Sequence, residues 1–194
     1  MATSKIGICN MALARIGAAR VNALDYAPSD QIPIEAELCL LWYDQILDEV
    51  LTLHNWNFAI EPKDISAAST TAPAWGYTNR YTLPTNPYCL RVIRLDDQDI
   101  EWRRQGNCLV MDESEAKILY MGRETDAARY TALFIAALYT RLAQRLLPGL
   151  SEKYDLAEGL EADFQRTMSD ARHFDAVECS VEEFETTTWL ESRE

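Results

Sequence analysis

The sequence predicts an α+β fold that is mainly a helical bundle, with a small antiparallel β-sheet inserted into it and an extended C-terminal tail. Apolar residues recur at helical spacing near both ends of the chain, over residues 1–58 and 124–177. Between them, over residues 59–123, prolines and short runs of β-forming residues replace that spacing. The last stretch, 178–194, is rich in glutamate and lacks helical periodicity, so we expect it to extend from the fold.

The first helix is predicted by a capping residue, an apolar stripe and a stop signal. Ser4 is a good N-cap, and Gly17 supplies the left-handed residue that ends many helices. The stripe between them recurs at three- and four-residue steps and comprises Ile6, Cys9, Leu13 and Ile16.

The second helix is predicted to start near Asp30, with Pro33 in its first turn. Two apolar stripes run along it, and a helix that is apolar on two sides is expected to lie between packing partners. One stripe comprises Cys39, Tyr43, Ile46, Val50 and Leu53, and the second comprises Leu40, Leu47 and Leu51.

The middle of the chain is predicted to form short strands. Gly106-Asn107 is a tight hairpin signal between two of them. The predicted strands cover Arg80–Leu83, Cys89–Leu95, Ile100–Arg104, Cys108–Met111 and Lys117–Met121.

Two further helices follow and are predicted to form an antiparallel hairpin, because only about four residues connect them. Thr125 or Asp126 caps the first, which Pro148-Gly149 should stop after Leu147. Ser151 is expected to cap the second, whose apolar face comprises Leu156, Leu160, Phe164, Met168 and Ala171.

Composition and charge restrict the classes of function that are expected for this chain. The formal net charge is −13, from 31 acidic and 18 basic residues, and so acidic a surface repels nucleic-acid phosphates. Five cysteines lie far apart without a CxxC pair, which suggests reduced thiols packed as small hydrophobic groups. We find no secretory leader and no apolar run of the ~18 residues that a membrane helix needs.

Catalytic and metal-binding signals are weak. Nucleotide-binding, hydrolase and zinc-protease motifs are absent, and His54 and His173, both near predicted helix ends, are expected to be dipole partners or surface groups. Asp96-Asp97-Gln98-Asp99 has acidic spacing but lacks the glycine and the bidentate glutamate of a calcium loop, so we interpret it as a charged turn. We therefore predict no catalytic residue, no metal and no cofactor.

Two of these interpretations keep an alternative. Carboxylate pairs could serve a cell-wall glycosidase, but 31 acidic residues guarantee such pairs by chance. Trp56 and Phe58 could form a ligand platform, although a place in the core where the second helix meets the insert fits them better.

Two features favour a protein-interaction function. Trp189 is a large apolar residue in an acidic tail that cannot bury it locally, which favours docking on another protein over folding back. Arginines at positions 91, 94, 103, 104 and 123 cluster in or beside the insert, while six glutamates and one arginine occupy 178–194. Opposite charges on one chain allow head-to-tail pairing between copies, with Arg91, Arg94, Arg103 and Arg104 as candidate subunit contacts; a solvated surface of mixed charge is the alternative.

Several motifs resemble the head-to-tail adaptor, or tail tubular protein A, family of short-tailed bacteriophages. The resemblance is densest from Ile8 to Ala59, where the chain reads Asn-Met-Ala-Leu-Ala-Arg-Ile-Gly-Ala from Asn10, then Leu24-Asp25. It continues through Cys39, Tyr43-Asp44 and Asp48-Glu49-Val50-Leu51 to the exit Trp56-Asn57-Phe58, and recurs in Trp189-Leu190-Glu191-Ser192-Arg193. The order of helices, β-rich middle, two long helices and tail is also that of the family.

The resemblance implies a non-enzymatic structural virion protein at the head–tail junction, assembled in the host bacterial cytoplasm. It would form a dodecameric ring under the portal protein, extend the channel through which DNA passes without specific binding, and carry the tail nozzle or tube. The expected portal-docking residues are Trp189, Leu190, Glu185 and Arg193. A glycosidase-like virion enzyme and a small interaction or regulatory module are the alternatives.

Overall fold

The computed structural model describes residues 4–27, 31–65, 69, 71–73, 75–151 and 155–178. These residues form four α-helices and six β-strands, which confirms the mixed α+β class. The helices are α1 (Lys5–Ile16), α2 (Ile34–Thr52), α3 (Ala132–Leu150) and α4 (Leu156–Val177).

α3 is the central helix, and α1, α2 and α4 all pack against it. Its buried side chains, such as Phe134 and Leu138, belong to the larger of two hydrophobic cores. The predicted ends of α1 are confirmed: the Ser4 hydroxyl accepts the Gly7 N–H, and Gly17 adopts a left-handed φ of 74°. Leu160, Phe164, Met168 and Ala171 of α4 are buried as predicted, and Leu156 packs on the same core.

Several predicted helix boundaries are wrong. α2 begins at Ile34, so Pro33 lies at its N-cap position and not in its first turn. α3 continues through Pro148 to Leu150, because a proline in the last turn keeps a helical φ and sacrifices only one hydrogen bond. Ser151 ends α3 rather than capping α4, and its N–H donates to the Leu147 carbonyl at 3.0 Å. Asp126 caps a short 3-10 turn over Ala127–Arg129, and Thr131 caps α3.

The insert contains two antiparallel three-stranded sheets where the sequence predicted one. Strand order is β1-β6-β3 in the first sheet and β2-β5-β4 in the second. The strands are β1 (Ile60–Asp64), β2 (Asn79–Thr82), β3 (Cys89–Leu95), β4 (Trp102–Gln105), β5 (Cys108–Met111) and β6 (Lys117–Gly122).

β1 escaped sequence prediction because it contains Pro62. A proline is tolerated in an edge strand, and β1 pairs only with β6, opposite Leu119 at this position. The hairpin predicted at Gly106-Asn107 joins β4 to β5, with Gly106 at a φ of 60°.

The inner faces of the two sheets share a second hydrophobic core. Tyr81 and Leu109 contribute from one sheet, and Val92 and Tyr120 contribute from the other. This core fixes how the outer faces of the sheets are presented.

Trp56 lies in the main core where α2 leads into β1. Its side chain is fully buried, its indole N–H donates to the Val50 carbonyl at 3.0 Å, and its ring packs against Phe58 and Phe134. The core interpretation of Trp56 and Phe58 is therefore confirmed over the ligand platform.

Candidate interaction surfaces

The four predicted portal-docking residues, Trp189, Leu190, Glu185 and Arg193, lie outside the described residues. The structure shows where their segment begins, because α4 ends at Val177 with Glu178 as its C-terminal cap position.

The last turn of α4 is fastened to the connection between α2 and β1. The Asp175 side chain is 5% exposed, with its Oδ2 atom 3.1 Å from His54 Nε2. The Asn57 backbone N–H donates to Asp175 Oδ1 at 3.2 Å, and the Asn57 side-chain amide donates to the Asp175 carbonyl at 2.8 Å. The direction of the chain at its last described turn is therefore set by the fold.

Apolar side chains are exposed close to that turn. Phe174 and Val177 of α4 are exposed, and so is Leu53, whose carbonyl accepts a hydrogen bond from Arg172 of α4. We call Leu53, Phe174 and Val177 the α4-end patch. Exposed apolar groups beside the start of an acidic segment are suited to a protein partner.

A second apolar surface runs along α2. Ile34 and Leu41 are 52% and 54% exposed, and Leu38 lies between them at helical spacing, half-buried near Gly149 of α3. We call Ile34, Leu38 and Leu41 the α2 face. Most residues of the two stripes predicted on this helix are buried, including Leu47 and Leu51 of the second stripe, whereas Leu40 and Leu53 are exposed.

The four arginines that were candidate subunit contacts occupy different environments. Arg91, Arg94 and Arg103 are exposed, and the Arg91 guanidinium donates to the Asn55 side chain. Arg104 instead bonds within its own chain: its guanidinium donates to the Leu90 carbonyl at 2.6 Å and, through Nε, to the Gly106 carbonyl at 3.0 Å. Arg104 thus connects the two sheets, and most of its donors are already used.

Arg103 lies on the outer face of the second sheet. It pairs with Val110 of β5, and Val110 in turn pairs with Arg80 of β2, so the three side chains share one face. Val110 is fully buried between the two arginines. Among the described residues, neither Arg80 nor Arg103 forms an ion pair with a carboxylate.

Beside Arg103 the segment before β2 borders a cavity of ≈ 410 Å³. Trp75 is 87% exposed there, more than any other large apolar side chain described. The cavity is lined by Trp75, Gly76, Tyr77, Glu101, Arg103, Gln105 and Asp112. We call Trp75, Tyr77, Arg80 and Arg103 the outer β face. Of these four residues the sequence analysis selected only Arg103, because Trp75 lies in an aperiodic segment and its neighbours come from separate strands.

An acidic cavity of ≈ 420 Å³ lies where β3, β6 and the end of β1 approach each other. Asp96 accepts the Lys117 backbone N–H at 3.1 Å, and this hydrogen bond holds the pKa of Asp96 below its usual value, opposite to what an acid catalyst needs. In the described parts of the chain, no group of three potential ligands could hold a metal ion. The lining residues are Asp64, Asp96, Asp97, Ile100, Glu113, Glu115, Ala116 and Lys117.

Four of the five cysteines are described, and all four are free and buried. Hydrogen bonding to Cys39, together with burial, raises the pKa of the Cys9 thiol. Because all four are buried, they are suited to act as packing groups. Cys179 lies outside the described residues.

No protein-family model matches this chain, and the search of curated proteins found no match. Within the described residues, none of the helices combines the length and the apolarity that crossing a membrane requires.

Proposed function

We propose that this chain is a structural virion protein, a head-to-tail adaptor of a short-tailed bacteriophage. Copies form a ring, dodecameric in the family that the sequence resembles, under the portal protein; the ring extends the DNA channel and carries the tail nozzle or tube. The observation that carries the proposal is the α2 face, an apolar surface on which Ile34 and Leu41 are more than half exposed.

The first motif that resembles the adaptor family, the stretch that begins at Asn10, has a structural role. Such a role suits a family of structural proteins. The Asn10 side chain holds the segment after α1, donating to the Val21 carbonyl at 2.9 Å and accepting the Val21 N–H at 2.8 Å. These two bonds position a segment without regular secondary structure against the helices.

The second motif fastens α2 to both halves of the molecule. Asp48 accepts a hydrogen bond from Arg123 Nε at 2.6 Å, just beyond β6. The next residue, Glu49, accepts from Arg141 Nε of α3 at 2.7 Å. The motif residues therefore link α2 to the β insert and to α3, which suits a subunit of a structural ring.

In the proposed ring, the helical bundle of one subunit packs beside that of its neighbour, and the α2 face forms part of the contact. Ile34 and Leu41 would lose their exposed apolar area to the neighbour, which stabilises association. The net charge of −13 keeps passing DNA from adhering to the channel wall.

The extended C-terminal tail docks on the portal. Trp189 and Leu190 supply the apolar anchors, with Glu185 and Arg193 as polar contacts. The α4-end patch, where the tail begins, is suited to cover part of the same partner.

Native mass spectrometry of the full-length protein mixed with its cognate portal ring tests this function. We expect the portal mass to rise by a fixed multiple of 22.1 kDa. Trp189→Ala should weaken binding by about 2 kcal/mol or more, as loss of a central interface tryptophan does. Thr187→Ala, in the same segment, is the matched control and should bind normally.

Absence of any portal complex from a folded protein would refute the adaptor function and favour the alternatives. Turnover of cell-wall polysaccharide would then identify a glycosidase-like virion enzyme. A protein that is absent from purified particles but binds a virion component would be a regulatory module.

A further inference from the structure

The outer β face has the composition of a protein-binding site. Tryptophan, tyrosine and arginine are the residue types that dominate binding energy at protein interfaces, and Trp75, Tyr77 and Arg103 line one cavity there. Arg80 and Arg103 form no ion pair with a carboxylate among the described residues, so two positive charges are available on this face. The face therefore suits an acidic peptide that carries an apolar side chain.

The first part of the C-terminal segment has this chemistry. Residues 179–184 read Cys-Ser-Val-Glu-Glu-Phe, which places two adjacent carboxylates next to an aromatic ring. Glu182 and Glu183 match the charge of Arg80 and Arg103, and Phe184 matches the exposed aromatic rings.

We propose that the outer β face binds residues 179–184 of a second copy of this chain. The inference rests on the proposed function, in which copies associate into a ring. The donor segment and the receiving face are different surfaces, so the contact is heterologous and closes into a ring when the rotation permits. Glu185, Trp189, Leu190 and Arg193 remain available beyond it for the portal.

The two carboxylates that line the cavity, those of Glu101 and Asp112, form no ion pair with Arg80 or Arg103. Asp112 is occupied, because its Oδ1 atom accepts the Thr78 N–H at 2.8 Å and the Thr78 hydroxyl at 3.0 Å. Glu101 is exposed at the rim. Arg80 and Arg103 therefore provide the hydrogen-bond donors that an incoming carboxylate meets on the sheet itself.

Photo-crosslinking in the full-length protein tests the proposal directly. Trp75→p-benzoyl-phenylalanine keeps an aromatic ring at the site, and equal amounts of light and heavy nitrogen-isotope copies are mixed before irradiation. The sample is taken both from the concentrated free protein and from its mixture with portal. We expect crosslinks from position 75 to the peptide containing residues 179–184, with light–heavy pairs among them.

Crosslinks confined to light–light and heavy–heavy pairs would show that the segment binds its own copy, and would overturn the second-copy assignment. Crosslinks to any other region, or no crosslinks in either sample, would overturn the proposal altogether.

Charge reversal gives an independent readout by sedimentation of the full-length protein. Arg103→Glu should weaken association between copies by about tenfold or more, and adding Glu182→Arg and Glu183→Arg should restore it. Arg20→Glu reverses another exposed arginine away from this face and should change nothing. An unchanged association in Arg103→Glu, or an equal loss in Arg20→Glu, would overturn the proposal.

The two proposals fail separately. A portal complex of the expected mass without crosslinks to residues 179–184 leaves the adaptor function intact and removes this contact. Light–heavy crosslinks without any portal complex would support this contact and remove the adaptor function.

Discussion

His54, beyond the end of α2, and Asp175, in the last turn of α4, meet across 121 positions of sequence, with Nε2 and Oδ2 3.1 Å apart. Asp175 is one of two buried polar or charged side chains in the described structure, and its second oxygen accepts the Asn57 N–H. The histidine, which the sequence suggested to be a dipole partner or surface group, is instead one half of this link. The pair fixes the position of the last turn of α4 against the connection between α2 and β1.

Removal of the Asp175 carboxylate should destabilise the protein and release the last turn of α4. We expect Asp175→Ala to lower the free energy of unfolding by about 1–3 kcal/mol, because the half-buried polar groups of Asn57 and His54 lose their partner. Urea unfolding measures this, and hydrogen exchange at the Asn57 amide should speed up. Asp170→Ala, at an exposed position of α4, should change neither; equal effects of the two variants would contradict the role of Asp175.

Among the helix charges that are not fully buried, Arg141 should be the one whose replacement destabilises the protein most. It donates to Glu49 of α2, to Gln144 of its own helix and to Glu161 of α4, and so ties three helices together. Arg141→Met should cost about 1–3 kcal/mol in urea unfolding, because Glu49 loses a partner at a half-buried site.

The matched control for Arg141 is Arg166→Met. Arg166 pairs with Asp163 on the same helix and its side chain is 73% exposed, so the expected cost is only about 0–1 kcal/mol. Equal stability of the two variants would show that the hydrogen bonds of Arg141 to three helices contribute no more than an exposed ion pair.

The contribution of Asp96 should depend on pH. The folded protein holds the pKa of Asp96 below its ordinary value of 3.8, mainly through the Lys117 N–H, so the unfolded chain binds the proton more readily. The stabilisation is therefore present above pH 3.8 and is lost as the pH falls through the lower folded-state pKa. Asp96→Asn should be less stable than the natural protein at neutral pH, and urea titrations should converge at acid pH; a constant difference would argue against the hydrogen bond.

Chelation of metal ions should leave the protein unchanged. The carboxylates of the Asp96–Asp99 turn already serve the backbone, since Asp96 accepts the Lys117 N–H and Asp97 accepts the Asp99 N–H at 3.0 Å. The melting temperature should be the same with and without EDTA, and a clear drop on chelation would revive a metal loop at this turn.

A charge on the α2 face should block assembly while sparing the fold. Leu41 is 54% exposed, so Leu41→Glu should leave urea unfolding nearly unchanged and reduce the number of copies that join the portal complex. Gln45→Glu, one turn further along and also exposed, adds the same charge without removing an apolar group. Full assembly of Leu41→Glu would exclude the α2 face from the subunit contact.

Local signals in the sequence sufficed for the fold class and for many element ends. Ser4 and Gly17 delimit α1, Gly106 turns the hairpin, and Cys89–Leu95 and Cys108–Met111 are strands with the predicted bounds. These features depend on capping, backbone conformation and side-chain periodicity, each of which acts within a few residues of the chain.

Only the tertiary structure decided how those elements combine. β1 forms in spite of Pro62 because β6, more than fifty positions away, offers it an edge, and the strands divide into two sheets because their pairing is non-local. The same holds for the surfaces: periodicity predicted two apolar stripes on α2, but the packing of the helices decided that Leu47 and Leu51 are buried and Leu40 is exposed. Trp75, Arg80 and Arg103 share a face solely because strand register and the packing of the second core bring distant residues together.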